Sequence, residues 1–415
     1  MIKSFGLYIS LILCFIPNFT NAETLGYDLT ILDHPNSRSL NMRLMDVNNN
    51  GELIGYYTDS QNKIVNFFYS EGVYTSLDHL NGQPSKFIAA GFNKLGRVVG
   101  TLIPANNILQ GFVASNGSYI SITNNNTTSD SIVLSDINDV GQVVGYFRNS
   151  DGLIQSLRFD DQSFVVTPLE NLNALSGLGT YATGINNNAH ISGFFKDAQS
   201  VFHGFIYDGE SYNTLDHPNA ASLGSPNGTY VNGINDYDQV VGYYIDAGGT
   251  SHGFMFSGGQ FVNIDVVNAL NTYPNSINNY GEVIGYFVDA LGTHGFLASP
   301  ITTTAISQNG SSISIQTSAG GNLGVNADWW FVAYSPWGHY YSYVYPDQWI
   351  DIGTDLSRVS PAYQGRLMNV ADLKLFDATG IPSGNYILYF GVDTKRDGKL
   401  DFDRLYYSSF SLTIP

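Results

Sequence analysis

A short pattern of apolar and polar positions recurs along most of the chain. In each copy an Asn-x-x-Gly turn precedes an apolar pair, a glycine and aromatic residues, as in residues 277–287. Short apolar runs bounded by turn residues predict β-strands joined by tight turns. Each unit contains signals for four antiparallel strands in about 45 residues, which is the size of one propeller blade.

Two columns of residues are identical in all six copies. The glycine of the Asn-x-x-Gly turn varies more, because Ala189 and Asp238 replace it in two copies. The asparagine column is Asn48, Asn93, Asn138, Asn186, Asn235 and Asn278, at spacings of 45, 45, 48, 49 and 43 residues. Seven residues further on, the glycine column is Gly55, Gly100, Gly145, Gly193, Gly242 and Gly285. This regularity predicts six copies of one structural unit.

The ends of the repeat region predict how the units are arranged. The sixth unit stops at Pro300 without its fourth strand, whereas residues 27–35 match the fourth-strand sequence at 212–218. Lending the N-terminal strand to the last unit would close a ring and leave no unpaired edge. We therefore expect an all-β fold in which residues 23–300 form a six-bladed β-propeller closed by the N-terminal strand.

A second repeated feature is a triplet at the start of the third strand. It reads His203-Gly204-Phe205, His252-Gly253-Phe254 and His294-Gly295-Phe296, and departs from this at Asn66, Gln110 and Gln155. Over roughly residues 27–300 the repeats resemble the bacterial extracellular repeats known as the HAF family, whose signature is this triplet. The resemblance implies a secreted, bacterial β-repeat protein and carries no established activity.

The composition changes after the repeats. Residues 301–312 are rich in Thr and Ser and predict a linker, and residues 313–415 predict a β-sandwich-like domain of aromatic-rich strands. The stretch from Gly384 to Asp393 resembles modules at the C-terminus of secreted bacterial proteins. That resemblance implies display or anchoring.

The first 22 residues predict the compartment. Lys3 precedes an apolar run at residues 7–16, and Thr20 and Ala22 provide small residues before a cleavage site at Glu23. This layout is typical of a secretory signal peptide, and the run is too short to span a bilayer. Residues 1–22 are therefore expected to be removed, leaving a secreted (extracellular or periplasmic) chain without cysteine.

Charge narrows the choice of partners. The chain has 17 basic and 35 acidic residues, a formal net charge of −18. Such a surface repels phosphate backbones and anionic lipids, which argues against nucleic acid and membrane surfaces. We expect a glycan or an extracellular protein as partner, and no membrane insertion after signal removal.

Histidines and aspartates in the repeats are the first candidates for chemistry. We expect the triplet histidines to lie between blades and to bind backbone carbonyls, with a metal site as the alternative. Asp33, Asp78, Asp216 and Asp265 form another column, expected to cap turns. Catalysis, the alternative, needs two carboxylates close together in a shielded cavity.

One loop has the spacing of a calcium site. Asp393, Asp397 and Asp401 stand at loop positions 1, 5 and 9, with glycine at position 6 and Asp403 beyond. Carboxylates at this spacing can wrap a calcium ion, although Lys395 and Arg404 replace two expected oxygen donors. The loop is a candidate calcium site, and otherwise an acidic hairpin loop.

All four tryptophans, Trp329, Trp330, Trp337 and Trp349, lie close together in the C-terminal domain. They form either an exposed aromatic platform that binds a ligand or the buried face of a sheet.

Three functions follow. The first is a non-enzymatic secreted propeller that binds glycan or protein, with a C-terminal module for display or anchoring. The second is an extracellular polysaccharide hydrolase or lyase acting at the central opening of the propeller, and the third is a structural surface or matrix protein. The absence of a unique acidic pair in the repeats favours binding over catalysis.

Overall fold

A computed structural model describes residues 27–37, 41–77, 86–122, 131–148, 152, 154–160, 167–169, 179–222, 226–309, 312–318, 326–344, 348–367, 370–377, 381–394, 398–400 and 405–414. The predicted signal peptide lies outside these ranges. Within them the chain is all-β, with a single turn of 3-10 helix at Leu356–Arg358. The described part contains no helix that is long and apolar enough to cross a bilayer.

The six repeats form six four-stranded antiparallel sheets, and the strand that precedes them, β1 (Tyr27–Leu32), belongs to the sixth sheet. The first sheet contains β2 (Met42–Val47), β3 (Leu53–Thr58), β4 (Ile64–Ser70) and β5 (Val73–Ser76). The second contains β6 (Phe87–Phe92), β7 (Val98–Leu102), β8 (Gln110–Ser115) and β9 (Ser118–Ile122). The third contains β10 (Ser131–Ile137), β11 (Gln142–Arg148), β12 (Ile154–Asp160) and β13 (Thr167–Leu169).

The other three sheets repeat this order. The fourth contains β14 (Thr180–Ile185), β15 (Ile191–Lys196), β16 (Phe202–Tyr207) and β17 (Tyr212–Leu215). The fifth contains β18 (Gly228–Ile234), β19 (Val240–Ile245), β20 (Ser251–Ser257) and β21 (Gln260–Asn263). The sixth contains β22 (Asn271–Ile277), β23 (Val283–Val288) and β24 (Thr293–Pro300), with β1 as its fourth strand.

The pairing of β1 with β24 confirms that the N-terminal strand completes the last repeat. The two strands are antiparallel, from Tyr27 opposite Pro300 to Leu32 opposite Gly295. This is the position that β17 takes beside β16 in the fourth sheet, which explains why residues 27–35 and 212–218 share a sequence.

The glycine column is required by a bulge in the first strand. In every one of the six sheets the register between the first two strands shifts by one residue, as between Val231 and Gly233. Gly242 lies opposite Val231, just before the shift. A Cβ atom at Gly242 would overlap the carbonyl oxygen of Tyr230, so the strands could not approach as they do.

Hydrophobic cores lie between neighbouring sheets. Ile284 of the sixth sheet, for example, packs in one cluster with Leu44 of the first. One fully buried side chain of the third strand recurs opposite the glycine column, at Phe67, Phe112, Leu157, Phe205, Phe254 and Phe296. Burying one such side chain contributes about 1.5–3 kcal/mol, so this column stabilises every sheet. In the first sheet this pairing places Val65, and not Asn66, in the histidine column, so the expected position of the triplet there is wrong by one residue.

The C-terminal residues form two further sheets. A three-stranded sheet contains β25 (Thr303–Asn309), β26 (Ser312–Ser318) and β31 (Val370–Asp377). A six-stranded sheet contains β27 (Asn326–Tyr334), β28 (Tyr340–Val344), β29 (Gln348–Gly353), β30 (Tyr363–Arg366), β32 (Gly384–Asp393) and β33 (Leu405–Ile414). The two sheets share one core, in which Ile313 and Ile315 of β26 cluster with Phe331 and Phe390.

The predicted linker at residues 301–312 is wrong, because most of it is strand β25. β25 pairs with β26 from Thr303 opposite Ser318 to Asn309 opposite Ser312. Threonine and isoleucine in this stretch favour a strand as much as a linker, and the neighbouring β26 supplies the hydrogen-bonding edge that decides between them.

Candidate functional site

The asparagine column builds the turn between the first two strands of each sheet. In the fifth sheet Asn235 Oδ1 accepts the N–H groups of Tyr237 and Gln239, both at 3.1 Å. The same two bonds recur in the turns of Asn48, Asn93, Asn138, Asn186 and Asn278. Positive φ follows at Gly51, Gly96, Gly141, Ala189, Asp238 and Gly281. The predicted turn is thus confirmed.

The same side chains also join neighbouring sheets. Asn235 Nδ2 donates to the carbonyl oxygen of Asn278 at 2.9 Å. Equivalent bonds run from Asn93 to Asn138, from Asn138 to Asn186, from Asn186 to Asn235 and from Asn278 to Asn48. A turn alone would accept Asp or Ser, but this link needs an amide donor as well as an acceptor. That double requirement explains a column of asparagine only.

A second set of bonds joins the residues that follow the asparagines. In each case a backbone N–H donates to a side-chain oxygen of the next sheet at 2.8–3.0 Å. The donors are Lys94, Asp139, Asn187, Asp236 and Asn279, and the acceptors are Asp139, Asn187, Asp236, Asn279 and Asn49. Lys94 is the member of this column whose side chain has no acceptor atom; its ammonium lies 3.4 Å from Asp139 Oδ2.

These turns line a polar cavity of about 190 Å³, which we call the turn cavity. Two carboxylates on its wall, Asp46 and Asp136, break the six-fold pattern. They stand two residues before the asparagines, in a column that reads Asp46, Gly91, Asp136, Gly184, Gly233 and Ser276. Sequence reasoning missed this pair, although acids in a column otherwise filled by Gly and Ser were the available signal.

The triplet histidines bind aspartates. His203, His252 and His294 place Nδ1 2.7, 2.7 and 2.9 Å from carboxylate oxygens of Asp216, Asp265 and Asp33, respectively. Their Nε2 atoms each lie 3.3 Å from a second carboxylate, in Asp197, Asp246 and Asp289. The predicted backbone-carbonyl partner is therefore wrong.

The aspartate column also has another role than the predicted turn cap. Asp265 accepts the N–H of Gly253 at 2.8 Å as well as binding His252, so it fixes the start of the third strand. Asp78 lies outside the described residues. Within the described ranges no group of three or more His, Cys, Asp or Glu side chains is placed to hold a metal ion.

These contacts change the acidity of two histidines. The hydrogen bond that His203 donates to Asp216, supported by the charge of Asp216 and by Asp197, raises the pKa of His203 above its usual value against the effect of burial. Burial lowers the pKa of His252, but the bonds and charges of Asp265 and Asp246 outweigh it and the net pKa is raised. Both imidazoles are thus held in the protonated form over a wider pH range.

A different pair of histidines explains the Asp-His-Pro sequence that residues 33–35 and 216–218 share. The rings of His34 and His217 stack on Tyr57 and Tyr244 at 4.0 and 3.7 Å. Nδ1 of each accepts an N–H two residues on, at 3.1 and 3.2 Å. Burial lowers the pKa of both, that of His217 to about 4, so these rings are neutral packing elements.

The four tryptophans separate into two groups. Trp329 and Trp330 are 7% and 3% exposed and belong to the cores of the six-stranded sheet. Trp337 and Trp349 are 58% and 37% exposed. An exposed platform made of all four is therefore wrong, because alternation along β27 and tight packing bury the first two.

Trp337 and Trp349 line an open cleft of about 290 Å³, which we call the aromatic cleft. The described residues of its wall are apolar or aromatic, and none of them is charged. The lining residues are Ala333, Trp337, Tyr341, Trp349, Phe376, Ile381, Pro382, Tyr386, Leu388 and Leu412. Trp349 is fixed edge-to-face against Phe376 and Trp337 against Tyr386, with ring centroids 5.6 and 6.0 Å apart.

The candidate calcium loop is described only in part. Asp393 is fully buried and lies opposite Asp328 in the β27–β32 pairing, whereas Asp397, Asp401 and Asp403 lie outside the described residues. Asp328 accepts bonds from Gln364 Nε2 and from the N–H of Gly398, both at 2.7 Å. Calcium binding stays a prediction, and Asp328 is a neighbouring carboxylate that the sequence spacing could not reveal.

Comparison with known proteins gives distant likenesses. Neither a protein-family model nor a curated protein matches the sequence. SapL1 lectin in complex with α-methyl fucoside is 15% identical with a TM-score of 0.37, covering 67% of this chain and 93% of that one. A fucose-recognising Aleuria aurantia lectin, described as a six-bladed β-propeller, is 11% identical with a TM-score of 0.35 and coverages of 76% and 96%.

Solved structures of enzymes are as distantly similar to this chain as the lectins are. A Trypanosoma rangeli sialidase in complex with 2,3-difluorosialic acid is 7% identical with a TM-score of 0.42, covering 92% of this chain and 90% of that one. Such low scores and identities carry no inference about what this chain binds or catalyses.

Proposed function

We propose that this protein is a secreted, non-enzymatic binding protein of the HAF type. In this proposal the six sheets close as a six-bladed propeller, the C-terminal sheets form a sandwich, and the aromatic cleft of that sandwich binds a glycan. The C-terminal module would thereby display or anchor the propeller on a polysaccharide surface.

Ring closure is supported by bonds between the first and last sheets. Asn278 Nδ2 donates to the carbonyl oxygen of Asn48, and the N–H of Asn279 donates to Asn49 Oδ1. The same bonds join the fifth sheet to the sixth at Asn235 and Asp236. A junction that repeats an internal junction is what a closed ring requires.

The aromatic cleft carries the glycan proposal. Sugar rings present apolar C–H faces that pack on aromatic side chains, and Trp337 and Trp349 offer such surfaces in a cleft near the size of small-ligand sites, about 300 Å³ and above. None of the described lining residues is charged, so none of them pairs with an acidic sugar. We therefore expect a neutral polysaccharide rather than a charged one.

Binding to defined polysaccharides tests this function. The full chain is titrated by calorimetry with dextran, soluble β-glucan and xylan, and with polygalacturonate as the charged probe. Trp337→Ala and Trp349→Ala should each weaken binding of a neutral glycan about tenfold. Tyr407→Ala, which removes an exposed aromatic ring of β33 outside the cleft, is the control. Binding that both tryptophan variants retain would contradict the assignment of the cleft.

A second candidate function rests on the acid pair in the turn cavity. Polysaccharide hydrolysis uses two carboxylates that line one cavity, and Asp46 and Asp136 do so. Release of reducing ends from the same polysaccharides, lost in both Asp46→Asn and Asp136→Asn, would favour a hydrolase. Unchanged polysaccharide after long incubation favours the binding protein.

A further inference from the structure

Asp46 lies near the end of β2 and contacts three sheets. Its Oδ1 accepts the N–H of Val47 at 2.8 Å and the hydroxyl of Ser276 at 2.6 Å. Its Oδ2 accepts the N–H of Phe92 at 2.9 Å. Since Ser276 belongs to the sixth sheet and Phe92 to the second, this buried carboxylate ties the first sheet to both of its neighbours.

Asp136 makes the same kind of junction from the third sheet. Its Oδ1 accepts the N–H of Ile137 at 2.7 Å and its Oδ2 that of Ile185, in the fourth sheet, at 2.8 Å. The second sheet contributes Gly91 to this column, and a Cβ there would lie 2.9 Å from Asp136 Oδ1. The column therefore places no side chain of the second sheet between the two acids.

The charges around the pair are mostly negative. The ionisable groups that line the turn cavity are Asp46, Lys94, Asp136, Asp139 and Asp236. The cation among them, Lys94, lies beside Asp139. Asp139 and Asp236 also accept backbone N–H groups from the turns of the preceding sheets.

The strands packed against β2 and β10 supply little positive charge to offset the two carboxylates. They are β3, β6, β7, β8, β11, β14, β22, β23 and β24. Their basic side chains are Arg148, opposite Ser131 at the far end of β10, and His294, which is held by Asp33 and Asp289. Arg43 on β2 itself stacks over the ring of Tyr286 at 4.4 Å.

We propose that Asp46 and Asp136 form a proton-binding pair in the turn cavity, and that the six-sheet unit gains stability as the pH falls from about 8 to about 5. Asp46 is buried and Asp136 half-buried, and two such carboxylates on the wall of one cavity do not ionise independently, so the pair retains a proton that isolated aspartates would release. Asp46 accepts three hydrogen bonds and Asp136 two. Hydrogen bonds favour the ionised form, so the proton resides mainly on Asp136.

The acidities agree with this geometry. Burial raises the pKa of Asp46 to about 6 against the opposing bonds from Ser276, Phe92 and Val47. Burial and then the charge of Asp46 raise the pKa of Asp136 well above its usual range. In the unfolded chain both values return to about 4. A raised folded-state pKa gives stability that is complete below about pH 4 and is lost as the pH rises through the folded values.

Infrared spectroscopy of the full chain tests the pair directly. At pH 6.5 the C=O stretch of a protonated carboxylic acid should be present in the wild type and should disappear at pH 9 or above. Asp136→Asn should leave only a weak band at pH 6.5, because the remaining acid, Asp46, has a pKa of about 6 and is then mostly ionised. The exposed Asp28→Asn on β1 should retain it. Absence of the band in the wild type at pH 6.5 would overturn the proposal without any variant.

Thermal unfolding supplies a second readout. The background is His203→Gln with His252→Gln, which removes the raised histidines that titrate in the same direction. In that background the melting temperature should rise by roughly 1–3 °C between pH 8 and pH 5. Adding either Asp46→Asn or Asp136→Asn should reduce this rise, and adding both should flatten it, whatever the variants do to absolute stability. A slope that survives both substitutions would assign the pH dependence to other groups and contradict the proposal.

Discussion

His252 Nδ1 lies 2.7 Å from Asp265 Oδ2 and so joins two repeated columns, one at the start of the third strand and one after the fourth. Nε2 of the same ring faces Asp246 in the turn before that strand. The ring thus latches the turn and the end of the fourth strand to one point of the sheet, and His203 and His294 do the same in theirs. These contacts give the histidine of the triplet a structural role.

The first prediction concerns the pH dependence of these latches. The pKa values of His203 and His252 are raised in the folded protein, so their contribution to stability is complete below the unfolded value near 6.5. It is lost as the pH rises through the folded values. We expect His203→Gln combined with His252→Gln to lower the melting temperature at pH 6 by about 1–3 °C and to have less effect at pH 8.5.

The measurement is thermal unfolding from pH 5.5 to pH 8.5. His190→Gln is the control, because His190 lies outside the triplet and pairs with Asp238 of the neighbouring turn. An effect of the double variant that is the same at both ends of this range would show that the imidazole charge does not contribute.

The second prediction concerns Lys94, the irregular member of the residues that link the turns of neighbouring sheets. Lys94 stands where Asn49, Asp139, Asn187, Asp236 and Asn279 accept a backbone N–H from the preceding sheet. Lys94→Asn offers Asn49 the same kind of acceptor, and one such bond contributes about 0.5–1.5 kcal/mol. The substitution should therefore raise the free energy of unfolding.

Denaturant unfolding in 0.5 M NaCl is the appropriate measurement, because salt screens the exposed pair of Lys94 with Asp139 that the substitution removes. Lys86→Asn changes an exposed lysine outside these turns and should leave the free energy of unfolding unchanged. A loss of stability in Lys94→Asn at this salt concentration would mean that the N–H of Asn49 does not bond to the new side chain.

How far the sequence predicts this structure depends on where each residue finds its partner. The asparagine turns, the glycine column and the four strands of the first five repeats were predictable because their partners lie within the same repeat. The fourth strand of the sixth sheet, β1, was predictable because it shares its sequence with β17. The partners of Asp46 are in three different sheets, and its role follows from residues such as Ser276 that are 230 positions away. The strand β25 was mistaken for a linker because only its pairing with β26 distinguishes the two.

The third prediction tests the docking of β1. Tyr27 is buried in the core between the fifth and sixth sheets, and its hydroxyl has no hydrogen-bond partner among the described residues. Tyr27→Ala should cost about 3–5 kcal/mol of unfolding free energy through lost burial. Tyr27→Phe removes the unsatisfied hydroxyl and keeps the ring, so it should be neutral or stabilising by about 1 kcal/mol.

Both Tyr27 variants are compared by denaturant unfolding, with deletion of residues 23–26 as the control. That deletion stops before β1 and should leave stability unchanged. If Tyr27→Ala were as stable as the wild type, β1 would not complete the sixth sheet in solution.

The last prediction concerns calcium at the C-terminal loop. Asp393 and Asp328 bring two carboxylates together at the buried start of this loop, which Gly398 ties to Asp328. An ion held by Asp393, Asp397, Asp401 and Asp403 would bind the folded chain better than the unfolded one, so stability should rise with the logarithm of free calcium. Lys395 and Arg404 add positive charge, so affinity should be weak and the titration should extend to millimolar calcium.

The measurement is thermal unfolding of the full chain with chelator and with calcium. Asp397→Ala should erase the difference in melting temperature, while the control Asp208→Ala, in a turn of the fourth sheet, should preserve it. A wild-type melting temperature that is the same in chelator and in millimolar calcium would establish the alternative, an acidic hairpin loop whose buried Asp328 is stabilised by bonds from Gln364 and Gly398.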